Sequence, residues 1–148
     1  MTESESRMSE EDQIRALIEE RAQAVRARNV DGVISRVAPD VLSFDVVNPL
    51  RNLGSDEVRQ RTETWFSSFE GPIGYEIRDL EVAANEDVAF CHCLNRVEGT
   101  KTDGNKIEMW WRATICLRKI DGRWTITHEH SSVPFDPESG KASLDLEP

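Results

Sequence analysis

The 148-residue chain has no run of basic residues, no long apolar stretch, no CxxC pair, three histidines and one tyrosine. Each absence removes a class of function. Nucleic-acid binding needs a concentrated Lys/Arg face for phosphates, and 18 basic against 28 acidic residues leave a net charge of −10. Neither nucleic acid nor an anionic membrane surface is therefore an expected partner. No apolar run approaches the roughly 20 residues that a membrane span requires. The opening MTESESRMSEED is polar and acidic, unlike a secretory leader. Three cysteines, Cys91, Cys93 and Cys116, make an odd number and predict free thiols in a reducing, cytoplasmic setting.

What remains is ordinary for a globular domain: 38% apolar and 31% charged residues. A chain of this length buries about 70% of its unfolded surface around one core. Part of the acid excess sits at the two ends, where it aids solubility. Residues 1–8 read as a disordered N-terminus, 9–135 as a single domain and 136–148 as a polar tail in which Leu144 and Leu146 are available to dock.

Helical periodicity comes first. Ser9 is a candidate N-cap with Asp12 at the capping-box position, and Ile14, Leu17, Ile18, Ala22 and Val25 recur at helical spacing, predicting a helix over 10–28. Asn29–Val37 reads as a second, short helix, with Asp31 as a candidate cap and Pro39 as its stop. VLSFDVVNPL (41–50) is β-branched and aromatic, so it reads as a strand. Ser55 is a candidate N-cap for a third helix that carries Val58, Thr62, Trp65, Phe66 and Phe69 on one face until Gly71-Pro72-Ile73-Gly74 breaks it. Strand patterns then fill 75–84, 88–98, 107–120 and 123–134, with a hairpin signal at Asp121-Gly122. Helices followed by a meander of long strands predict an α+β fold with helices on one face of a curved sheet.

This order, together with NPLRNLGSDEVRQRTETWF (48–66) and RATICLRKIDGRWTITHEHSSVPF (112–135), resembles the nuclear transport factor 2-like superfamily. The second segment carries the R-x-T, D-G-x-W and H-x-H-x-S elements of the bacterial SnoaL-like and ketosteroid isomerase-like branch. The resemblance covers roughly residues 10–135. It implies a cone-shaped domain, three N-terminal helices on a strongly curved, mostly antiparallel (mixed) sheet that encloses a pocket, and a homodimer through the sheet face. Members include isomerases, cyclases, dehydratases and proteins without catalysis, so function rests on the site.

The chemistry-bearing residues are few. His128-Glu129-His130 lies on the closing strand, where side chains alternate, so the two histidines share one face and Glu129 takes the other. A two-residue turn at Asp121-Gly122 sets Ile115 against His128, Ala113 against His130 and Thr114 against Glu129. A bulge at Gly122 slips the pairing, setting Arg112 against His130, Thr114 against His128 and Ala113 against Glu129. Register thus decides whether the pocket receives two histidines or one glutamate. The plainer role for His128 and His130 is hydrogen bonding to Arg112, Thr114 or Ser132 within the sheet. His-x-His is also a metal-ligand spacing, but a third ligand is needed and His92 is the only other histidine. Cys91 and Cys93 point away from His92, so those three cannot converge on one ion and read as small buried thiols beside a core histidine.

His92 shares a face with Phe90 and Leu94, and the resemblance makes the middle of that strand a cavity wall. Asp45, amid Phe44, Val46 and Val47, is either a base with a raised pKa in an apolar cavity or a solvated side chain capping the Asn48-Pro49 turn. Relative to the ketosteroid isomerase pattern, the one tyrosine, Tyr75, begins a strand and no second aspartate serves as oxyanion donor, which leaves Trp or His for that task. Trp110 and Trp111 face opposite sides, so only one lines the interior. Arg112 is expected to pair with a carboxylate.

The expectation is a pocket protein for a small, mostly apolar organic molecule, needing no cofactor and no metal. If catalytic, Asp45 or Glu129 is the base and His92 the proton donor or orienter, with Trp65, Phe66, Phe90, Trp111, His128 and His130 touching the ligand. A non-catalytic binding or dimerisation module is the main alternative, and a metal site on His128 and His130 is a third.

Overall fold

The structure, a computed structural model, describes residues 8–148. All but the last residue of the expected disordered stretch 1–8 lies outside the described residues. Helix α1 (Glu10–Arg26) begins where Ser9 accepts a hydrogen bond from the Asp12 amide at 3.1 Å, with acidic residues in the first turn and Arg26 in the last. Its stripe Ile14, Leu17, Ile18, Ala22 and Val25 is buried. Helix α2 is shorter than the sequence suggests, Val30–Ile34, and Asn29 rather than Asp31 caps it. Helix α3 (Ser55–Ser67) starts after Gly54, whose φ of 91° sets the entry without a side-chain cap.

Six strands form one sheet in the order β2-β1-β6-β5-β4-β3. They are β1 (Val37–Phe44), β2 (Asn52–Leu53), β3 (Phe69–Ala84), β4 (Val88–Lys101), β5 (Lys106–Ile120) and β6 (Arg123–Ser132). All neighbours run antiparallel except β1 and β6, which are parallel. The α+β cone is as the sequence implies, but two boundaries move. Pro39 lies inside β1, within the irregular pairing between Val37 and Leu42, and does not end a helix. The Gly71–Gly74 segment is an irregularity within β3 and not a loop, because the strand pairs again from Gly74.

Alternation along β4 defines the two faces. Ala89, Cys91, Cys93, Asn95 and Val97 are buried toward the helices, while Val88, Phe90 and His92 are exposed. One core cluster joins Ile14, Leu17 and Ile18 of α1 to Val41, Leu117 and Ile126 of the sheet. A second joins Val25 to Phe66, Phe69, Ile73 and Val97. Polar side chains fasten the helices to the sheet. Glu10 accepts from Lys119 Nζ at 2.8 Å and Trp124 Nε1 at 2.7 Å, and the Lys119 contact holds its carboxyl below the usual range. Arg28 donates to the Phe66 and Phe69 carbonyls and locks the end of α1 onto the α3–β3 junction.

The tail is more ordered than its composition suggests. Asp136 N–H donates to the Lys141 carbonyl, and Phe135 bridges Ala142, closing a small loop. Leu144 and Leu146 stay about half exposed, so neither is docked within the described chain.

This placement of the core predicts that Ile126→Ala loses about 3 kcal/mol of stability in urea titrations, while Val47→Ala, in an exposed loop, changes it by under about 0.5 kcal/mol. Equal losses at the two positions would contradict it.

Candidate functional site

The site follows from the way β6 leaves its turn. Asp121 and Gly122 have φ of 52° and 77°, the double positive φ of a two-residue hairpin turn whose twist matches the strands. Pairing runs from Ile120–Arg123 to Leu117–Ile126, and then Thr127 is inserted as an extra residue. Beyond it Cys116 pairs with His128, Ile115 with Glu129 and Thr114 with His130. Neither register inferred from sequence holds along the whole strand. The turn is the two-residue one, and the bulge then shifts pairing opposite to the slip considered. Thr127 Oγ1 donates to the Cys116 carbonyl at 3.3 Å, and His128 Nδ1 bonds the Leu42 carbonyl at 2.7 Å on β1. Those contacts set His128 and His130 on the outer face and turn Glu129 inward beside buried Ile115.

Glu129 belongs to a polar row inside the cone. Asn52 pairs with Ser43 and Ser43 pairs with Glu129 across β2, β1 and β6; Asn52 and Ser43 are 4% and 8% exposed. Arg21 of α1 closes the row, with Nη2 2.5 Å from Glu129 Oε1 and Nε donating to the Val33 carbonyl. Both side chains of the pair are under one-fifth exposed. Arg21 is a site residue that sequence reading missed. The signal was present: a charge at the position that Leu17, Ile18 and Val25 mark as the buried stripe.

Tyr75 is the second missed residue. It enters the interior with its neighbours Ile73 and Ile77 and stands 5.8 Å, ring to ring, from Trp111. Burial pushes its phenol well above the ordinary range, and the charges of Arg21 and Glu129 both reach it, in opposite senses. Tyr75 therefore stays a protonated donor. Burial also raises the Cys91 thiol to about 12 and that of Cys93 to about 11, and Cys93 Sγ lies 3.2 Å from Asn95 Oδ1. These are protonated, inert thiols and not nucleophiles.

Trp111 faces the interior, whereas Trp110 lies on the outer face under the Arg78 guanidinium at 4.9 Å. Phe66 is core, and Trp65 packs on it and on Phe69. Three other sequence-predicted residues sit outside the cone. His92 and Phe90 are on the exposed outer face, because Cys91 and Cys93 take the inward positions of that strand. Asp45 is exposed, accepts from the Val46 amide at 2.7 Å and pairs with Arg61 at 3.3 Å; it anchors a loop and meets no apolar cavity. His128 and His130 pack edge-on against Phe44 with ring centroids 5.0 and 5.3 Å away. Among the described residues no cluster of three His, Cys, Asp or Glu side chains is placed to hold a metal ion. Arg112 donates to Ser132 and has no described carboxylate partner.

Two concavities flank the row. One of about 300 Å³ lies between α1 and α2 and includes Arg21 in its wall. The other, of about 330 Å³, lies beside α3 and includes Asn52. The buried polar row thus reaches a cleft at each end. No helix among the described residues is long and apolar enough to cross a membrane.

A mixed sheet wrapped on three helices, with polar groups held inside the cone, defines an NTF2-like domain. Residues 14–136 match the SnoaL-like domain, and the chain belongs to that family. It is similar to an NTF2-like protein of unknown function from Pseudomonas putida KT2440, with 37% identity over 96% of this chain and 100% of that one, and a TM-score of 0.85. A ketosteroid isomerase-like protein from Erwinia carotovora atroseptica SCRI1043 shares the fold at 22% identity, with 84% and 97% of the two chains covered and a TM-score of 0.71. A cystatin-like-fold protein from Caulobacter vibrioides does so at 18% identity, 86% and 91% coverage and the same TM-score. No curated protein matches the chain.

The buried thiols predict an alkaline instability. The unfolded chain releases the Cys91 and Cys93 protons from about pH 9, whereas the folded chain keeps them until about 12 and 11. The folded state then binds more protons, so stability is intact below pH 9 and falls as pH rises, by up to about 1.4 kcal/mol per pH unit for each thiol. Urea midpoints measured across this window should decline less steeply in Cys91→Ala. An unchanged slope would contradict the assignment.

Proposed function

We propose that the protein binds a small, mostly apolar carbonyl compound inside the cone and performs cofactor-free acid–base chemistry on it. The observation that carries this reading is the inward Glu129, held by Arg21 through Oε1 and placed in the same interior as the protonated Tyr75. Oε2 takes a proton from the carbon beside the carbonyl, and that C–H electron pair moves into the carbonyl to form an enolate. Tyr75 O–H donates a hydrogen bond to the enolate oxygen. Returning the proton from Glu129 to another carbon gives isomerisation; loss of a neighbouring hydroxide, protonated by Glu129, gives dehydration. Trp111 and Trp65 supply apolar wall. Asp45 and His92 take no part, since both are exposed outside the cone. The isomerase-like name of the Erwinia neighbour is in keeping with this chemistry, though that likeness carries the fold alone.

A second copy covers the outer sheet face in this reading. Phe90 and Val88 are 50% and 45% exposed there, beside Phe44, His92, His128 and His130. The setting is the cytoplasm, in keeping with three free thiols. Non-catalytic binding is the second reading. The observation that favours it is that both concavities lie at the ends of the polar row and not over it.

Deuterium exchange next to the carbonyl in a panel of cyclic ketones, followed by proton NMR in heavy water, separates the two. Acid–base chemistry predicts catalysed exchange that falls by about 100-fold or more in Glu129→Gln and is kept in Asp45→Asn and His92→Ala. Binding without exchange selects the second reading, and exchange retained in Glu129→Gln contradicts the first. For the dimer, sedimentation should give twice the 16.8 kDa chain mass, and Phe90→Glu should return the monomer. A monomeric unaltered chain would overturn that assignment.

A further inference from the structure

The tail is anchored at its root and open beyond it. Ser143 N–H donates to the Pro134 carbonyl at 2.8 Å, beside the Phe135–Ala142 bridge. Past that point Leu144 and Leu146, 50% and 51% exposed, flank a bend at Asp145, and Glu147 follows. The root lies at the rim of the outer sheet face: Pro134 is two residues beyond β6, and Ser132, the last residue of β6, pairs with Arg112 of β5. From Ser143 to Leu146 the chain can reach up to about 10 Å, the distance at which two sheets pack face to face.

The face it borders is the basic part of an acidic protein. His92, His128 and His130 all lie there with Arg112. Toward β3 the outer arginines are met by carboxylates, Arg78 by Glu76 and Arg96 by Glu98 and Glu108. Arg112 is exposed, donates Nε–H to Ser132 at 3.2 Å and joins no ion pair among the described residues. Its cross-strand neighbours are Leu94 and Ser132, and the next row is His92, Thr114 and His130, with no carboxylate among them. Packing two such faces together takes Arg112 out of water twice, and a cation so placed needs a counter-charge. Asp145 and Glu147 at the rim supply it, and the leucines beside them suit the half-exposed Phe90 on the same face.

We propose that the tail of each copy fastens the dimer by lying on the outer sheet face of the other. Leu144 and Leu146 cover Phe90 and Leu94 of the partner subunit, and Asp145 pairs with Arg112 of the partner subunit. The two-fold axis runs near the Arg112 end of the face, so that both tails make the same contact. This rests on the dimer proposed above and names what holds it.

The test is sedimentation equilibrium of full-length chains. Leu144→Ser with Leu146→Ser should raise the dimer dissociation constant by about tenfold per leucine, since each side chain loses burial only in the dimer. Asp145→Arg and Arg112→Asp should each weaken the dimer by about tenfold or more, because like charges then face each other. Mixed one to one, the two charge variants should form a heterodimer at concentrations where each alone is monomeric, since both contacts are then between opposite charges. A tail paired with Arg112 of its own chain would give no such recovery, and that result overturns the proposal. An unchanged dissociation constant in the leucine variant overturns it as well and leaves the dimer standing. A monomeric unaltered chain removes the dimer and the proposal together.

Discussion

The contact between Arg21 and Glu129 joins the first helix to the last strand across the inside of the cone. Two charges taken out of water lose hydration, and their attraction in a low-dielectric interior roughly offsets that loss. The pair is therefore weak as a source of net stability, and its effect is positional. It fixes Glu129 with one oxygen held and aims the polar row Asn52–Ser43–Glu129 at the helices. The apolar clusters on either side could close over many side chains, but only an arginine on the buried stripe of α1 leaves a carboxylate paired there.

Beneath that contact lies one extra residue. Without the bulge, with Thr127 paired opposite Cys116, the two-residue turn would put His128 beside inward-facing Ile115 and send Glu129 outside. With it, the histidines go to the outer face against Phe44 and the glutamate goes in. A one-residue offset exchanges the two faces of a strand, which is why a local irregularity decides which chemistry the interior holds. The anchor for that offset is β1, a parallel partner more than 80 residues away in sequence, through the His128–Leu42 bond.

That distance explains what the sequence made legible. Helix α1, the meander of long strands, the Asp121-Gly122 turn and the α+β class all follow from local spacing and turn chemistry. Alternation correctly separated His128 and His130 from Glu129, and Trp110 from Trp111. It could not choose the inward face of β4, because Phe90 and Leu94 on one side are as apolar as Cys91 and Cys93 on the other. His92 was assigned inward from the resemblance, which makes the middle of that strand a cavity wall. Asp45 follows the solvated of its two readings, and its apolar sequence neighbours gave no sign of the cation it meets, Arg61, brought in by α3. Arg21 and Tyr75 were legible in principle, one as a charge on an apolar stripe and the other by strand alternation with Ile73 and Ile77. Pro39 and the Gly71–Gly74 segment were read as breaks, although a sheet accommodates both at irregular pairings.

The most direct test is a double-mutant cycle on Arg21→Met and Glu129→Gln, with stability measured in urea. An inward, paired Glu129 predicts that each single variant strands a buried polar group and is destabilised, and that the double variant recovers part of the loss, with a coupling above about 1 kcal/mol. Losses that simply add, to within about 0.3 kcal/mol, would mean that the two side chains do not meet and that Glu129 is not held inside the cone.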